Sequence, residues 1–230
     1  MTVTDQFQLL KSELHGFADL GREPGSIGFL GREALGFLSI AGTLKERGMV
    51  GNACVDERYI SNCFASSLIE GFFWLVYILD ERSSRPSRHG NLVTLFKRDY
   101  CKFNYENSVV NCSLAPPGQG WSQIQGCLDV RSMITQVRID QGNRLEPLYA
   151  IYRIASFDTH RKSLISIIVA ALGDSNPSFK ELDIDFAFNL IANQYLFMLR
   201  HLDAASEIYL LAQATASSAS QLVLSLELRR

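Results

Sequence analysis

Apolar residues recur every three or four positions along almost the whole chain, and strict apolar–polar alternation is rare. That spacing marks amphipathic helices, whose apolar stripe repeats about every 3.6 residues. It predicts helices near 4–20, 27–47, 55–82, 89–106, 122–138, 146–172 and 181–216. Breakers fall between them. "REPGSIG" separates the first two helices, "SSRPSRHG" the third from the fourth, and "LAPPGQGW" forms a loop. "GDSNPSFKEL" ends one helix at a glycine and starts the next at Asn176 or Ser178, beside Pro177. The expected fold class is all-α, a single helical bundle of about seven helices with short connections. Residues 1–50 read as an N-terminal helical hairpin, 51–216 as the bundle core and 217–230 as a C-terminal tail. In the tail, Leu222, Leu224, Leu226 and Leu228 alternate, which fits a last helical turn, an edge strand or a segment that docks on a partner.

Two of the predicted helices carry a polar stripe on an otherwise apolar surface. In 146–172, Tyr152, Ser156 and His160 follow one another at i, i+4 and i+8, with Arg153, Glu146, Tyr149 and Ser163 on the same arc. In 55–82, Glu70 shares a stripe with Tyr59, Cys63, Ser66, Trp74 and Tyr77. A carboxylate set within "SSLIEGFFWLVYIL" is expected to be buried and to need a partner, since an isolated buried charge is costly. The two stripes are therefore expected to face each other, with Glu70 meeting His160, Arg153 or a tyrosine. Two accounts of that pairing stay open. One is a buried polar seam that fixes helix register. The other is a site in which the planar guanidinium of Arg153 holds a phosphodiester and His160 moves protons near neutral pH.

Composition narrows the field. The chain has 230 residues, 47% hydrophobic and 20% charged, with net charge −2, so no global field advertises a nucleic acid or a membrane. Five cysteines, none spaced C-x-x-C, read as free thiols of a reducing compartment and not as a zinc site. The longest unbroken apolar runs, "FFWLVYIL" and "LISIIVAAL", are shorter than the ~18 residues a membrane span needs. The start lacks the order of a signal peptide. A cytoplasmic protein without a membrane partner is expected. The glycines at 21, 25, 28 and 31 are followed by no G-K-[ST], so they read as a turn between helices and not a phosphate loop. His201, Asp203 and Glu207 make a thin ligand set, better read as a helix surface. No metal or other cofactor is expected. No hydrolase nucleophile motif appears, which leaves an esterase or phosphatase without support.

Between Arg82 and Lys102 lie six basic residues, interleaved with Phe96, Tyr100, Phe103 and Tyr105. Such a segment either contacts RNA by phosphate pairing and stacking or forms a solvated amphipathic face. Arg85, Arg88, Lys97 and Arg98 are the candidate RNA-binding residues.

Arg153 and His160 have six residues between them on one predicted helix. This R-x6-H arrangement resembles the signature of HEPN ribonucleases. "LIEGFFWLVYILDE" and "YRIASFDTH" are similar, over about residues 55–205, to a branch of HEPN-like bacterial proteins with a helix glutamate and a later tyrosine–serine–histidine helix. The family commonly has a polar residue directly after the arginine, where this chain has Ile154. The resemblance implies a helical bundle that often forms a homodimer and a metal-independent endoribonuclease of phage-defence or toxin–antitoxin systems. Arg153 would then bind phosphate, His160 act as acid or base, and Glu70, Tyr152 and Ser156 orient them. The alternative is a non-catalytic helical interaction module, with a partner protein reached through the tail and a purely structural seam.

Overall fold

The computed structural model describes residues 5–50, 55–106, 128–137, 145–161 and 184–200. Eight α-helices and no strand occur among them: α1 Gln6–Ser12, α2 Leu14–Gly21, α3 Gly25–Glu46, α4 Val55–Leu79, α5 Arg85–Glu106, α6 Val130–Gln136, α7 Glu146–Arg161 and α8 Ile184–Arg200. The described residues are thus mostly helical, consistent with the all-α class. The loop at 114–121, the segment around Pro177, the tail, and Cys54, Cys112 and Cys127 lie outside the described residues, as do His201, Asp203 and Glu207.

The predicted helix 4–20 is two helices. Asp5 caps the first, its carboxylate accepting from the backbone N–H groups of Phe7 and Gln8 at 3.0 and 3.3 Å. The helix stops at Glu13, whose ψ of 14° lies outside the helical range. Continuous helix would put Leu14 in line with Phe7, Leu10 and Phe17. The break turns Leu14 outward, 42% exposed, while the other three stay buried.

The turn between α2 and α3 is tight because two glycines permit it. A Cβ on Gly28 would meet the Glu23 carbonyl oxygen at 1.6 Å, and one on Gly31 would meet the Gly21 nitrogen at 2.3 Å. Arg32 Nη1 then donates to the Gly21 carbonyl at 2.8 Å, satisfying an open acceptor at the end of α2. The expected helix–helix turn is what these glycines make.

On α3, Leu30, Ala34, Phe37, Ala41 and Leu44 repeat at three- and four-residue steps and are all buried. They join one hydrophobic cluster with buried residues of every described helix except α5, whose partly buried Leu92 packs against it. At its centre Tyr195 packs edge-on to Phe17 and Phe72, at 6.3 and 6.0 Å, and tilted against Phe37 at 5.5 Å. Truncating such a core aromatic costs about 3–5 kcal/mol.

Helix α5 starts at Arg85, with Pro86 in its first turn, where the missing N–H costs nothing. "RPSRHG" is therefore helix and not linker. Helices 25–46 and 59–79 are each long and apolar enough to cross a membrane by length and composition, with 44% and 50% of the apolar window buried inside the fold. Unbroken apolar runs understated them, because each helix continues through Gly, Ser and Glu.

Candidate functional site

Helix α7 packs chiefly on α4, and this brings the two polar stripes together. Tyr152 donates its phenol to Glu70 Oε2 at 3.5 Å, a long bond between two helices 82 residues apart in sequence. The ring of Tyr152 also meets Phe73 edge-on at 6.1 Å. The facing of the stripes is as expected.

Their burial is not. Glu70 is exposed, so it needs no compensating partner. The stripe periodicity located its face but not the absence of cover over it. Arg153 is exposed as well, and among the described residues its guanidinium has no hydrogen-bond or ion-pair partner. Ser156 donates to the Arg153 carbonyl at 3.2 Å, one turn back on its own helix, and does not reach Glu70. His160 lies further along α7, and its side chain is outside the described residues.

Tyr152 is the electrostatic centre of the seam. Partial burial pushes its phenol up to about 12, and the nearby Glu70 carboxylate adds to the shift. At neutral pH it is a neutral donor aimed at a carboxylate.

A second group extends the seam toward α6. Tyr149 stacks on Tyr152 at 6.2 Å with 27° between the planes. The Arg131 guanidinium lies 5.1 Å from the centroid of Tyr149 and pairs with Glu146 at 2.7 Å. Asp129 sets the start of α6 by accepting from the Ser132 N–H at 2.8 Å, which holds its carboxyl below the usual range. Arg131 was not singled out from sequence, since nothing in local spacing links it to a tyrosine on another helix.

The basic segment divides. Arg88 donates to the Tyr77 carbonyl, lies 4.2 Å from the centroid of its ring, and pairs at 3.7 Å with the carboxylate of Asp80, a side chain with 0% exposure. Arg85 Nε donates to the Leu79 carbonyl at 3.1 Å. Burial lowers the Arg85 pKa from its ordinary value, with Arg82 adding to it. Both arginines thus satisfy carbonyls left open at the end of α4. Lys97 is exposed, and the Arg98 side chain lies outside the described residues.

Among the described residues no three His, Cys, Asp or Glu side chains gather as metal ligands, and Cys63 is a free thiol. Comparison of the chain with protein-family models, with curated proteins and with solved structures gives no match.

Proposed function

We propose that the α4–α7 seam binds single-stranded RNA and serves a metal-independent, HEPN-like endoribonuclease. The observation that carries this reading is the openness of the seam. Among the described residues Arg153 stands exposed next to the Glu70–Tyr152 pair with no hydrogen-bond or ion-pair partner, as a phosphate-binding guanidinium must. In this reading Arg153 grips a phosphate and His160 transfers protons, with Tyr152 holding Glu70 in place. The phage-defence or toxin–antitoxin setting follows from the R-x6-H resemblance alone.

The test is cleavage of end-labelled single-stranded RNA by purified protein in the presence of a chelator. Arg153→Ala and His160→Ala should each slow cleavage by about 100-fold or more while the circular dichroism spectrum is unchanged. Arg153→Ala should also weaken RNA binding and lower its salt slope by about one.

A second reading has an observation of its own. Ile154, beside Arg153, is 55% exposed, which suits a protein-docking face. Absence of both RNA binding and cleavage would favour this interaction module.

A further inference from the structure

Where α3 meets α4, a carboxyl group is set into the contact without a counter-charge. Glu33 of α3 is half-buried. Its Oε2 lies 3.0 Å from where a Cβ on Gly71 of α4 would stand, so the missing side chain is what admits the carboxyl there. Among the described residues Glu33 has no hydrogen-bond or ion-pair partner. A carboxylate drawn partly out of water and left unpaired is costly, and the neutral acid is much less so.

The charged and titratable groups around it do not offset that cost. Arg32, beside Glu33 on α3, is exposed and donates to the Gly21 carbonyl at 2.8 Å. Burial holds the Glu33 carboxyl above its ordinary value of 4.5, and Arg32 opposes this without cancelling it. At the point of contact α4 presents only Gly71. From α8 comes Tyr195, fully buried, whose phenol is raised by burial and then by the charge of Glu33. A phenol so raised is neutral near pH 7 and supplies no cation. On α5, His89 meets Phe29 at 5.6 Å; burial lowers the His89 pKa, and Arg32 adds to the shift. On α2, Arg22 pairs with Asp19 at 3.1 Å, and on α1, Lys11 pairs with Glu46 at the far end of α3, at 3.3 Å.

We propose that Glu33 is a proton-operated latch between α3 and α4: the neutral acid packs against Gly71, and the ionised carboxylate works against that contact. A carboxyl that binds its proton more tightly in the fold than in the unfolded chain favours the fold most below about pH 4.5. That contribution is lost as pH rises through the folded value. Acid therefore tightens this contact, the reverse of a carboxylate held in an ion pair. The inference stands apart from the RNA reading, since it concerns the α3–α4 contact and not the seam.

The experiment uses full-length protein 13C-labelled at the glutamate carboxyls, with the Glu33 signal identified by its absence from Glu33→Gln. On titration from alkali to acid, Glu33 should take up its proton at higher pH in the folded protein than in the urea-unfolded chain. In Gly71→Ala it should do so at lower pH than in the wild type, because the added methyl displaces the carboxyl toward water. Urea unfolding gives an independent readout. At about pH 8 the unfolding constant of Glu33→Gln should be smaller than that of the wild type by roughly threefold or more, and at about pH 4.5 this gap should close. The proposal is overturned if Glu33 takes up its proton at the same pH folded and unfolded. It is overturned equally if the gap is the same at both pH values, or if Gly71→Ala leaves the Glu33 titration where it was.

Discussion

Helix α4 takes part in two groupings built from the same side chains: an arginine, a tyrosine and a carboxylate. At its C-terminal end Arg88, Tyr77 and Asp80 form one. Near its middle, across from α7, Arg153, Tyr152 and Glu70 form the other. In the first, side-chain exposure is 14% for the arginine and 0% for the aspartate, and the guanidinium is spent on a ring, a carboxylate and a carbonyl. In the second, arginine and glutamate are both in water, and one long hydrogen bond joins tyrosine to carboxylate. The first sits where α5 folds back over the end of α4, so its charges are sealed and hold the connection. The second sits on the outer flank of the α4–α7 contact, so its charges remain available. Residue type does not separate a strut from a site. Cover does.

The sharpest way to break this comparison is to remove one charge from the sealed group. Asp80→Ala should cost about 3–5 kcal/mol in urea unfolding, because Arg88 is left enclosed beside a missing carboxylate. Asp80→Ala combined with Arg88→Met should recover part of that loss. A cost below about 1 kcal/mol would mean that Arg88 relaxes into solvent and the groups do not differ.

The matching change in the open group should have its effect elsewhere. Arg153→Ala is expected to alter stability by no more than about 0.5 kcal/mol while RNA binding falls. Glu70→Ala should cost below about 1 kcal/mol, because an exposed carboxylate with one long bond contributes little. A loss of several kcal/mol would show that the seam is as structural as the α4–α5 junction.

The smallest effect is a titration. The Tyr152 phenol, raised to about 12, should move back toward its ordinary value in Glu70→Gln, followed by 13C-tyrosine chemical shifts at alkaline pH. The sign follows from linkage. A phenol whose folded pKa exceeds its unfolded value holds its proton in the fold while the unfolded chain loses it. Its contribution to stability is complete below about pH 10 and declines as pH rises toward 12. An unchanged Tyr152 titration in Glu70→Gln would place the cause in burial alone.

Much of this was legible in sequence. The spans 27–47 and 146–172 begin within two residues of α3 and α7, because long stripes average over ambiguous positions. The two stripes do meet at Tyr152 and Glu70, although the burial of Glu70 from which their facing was argued is absent. The break at Glu13 was not legible, as no proline or glycine marks it; it is set by packing on α8 and α3. The burial expected of Glu70 failed because a stripe gives direction and not depth. That Arg85 and Arg88 donate to the last carbonyls of α4 was not legible, because a linear run of charge does not show which helix end lies against it.

The docking of α1 has a consequence for how the protein is made. α1 packs mainly on α8, and the Phe7 N–H reaches Asn189 Oδ1 at 3.3 Å across 182 positions of sequence. The α2–α3 hairpin, by contrast, closes over a few residues. On the ribosome, then, α2 and α3 can pair almost as soon as they emerge, whereas α1 leaves the tunnel early and waits for its partner. Throughout that interval Phe7 and Leu10 are without their final surroundings. A short helix of seven residues has little stability of its own, so this stretch is where a nascent-chain chaperone would find its longest opportunity.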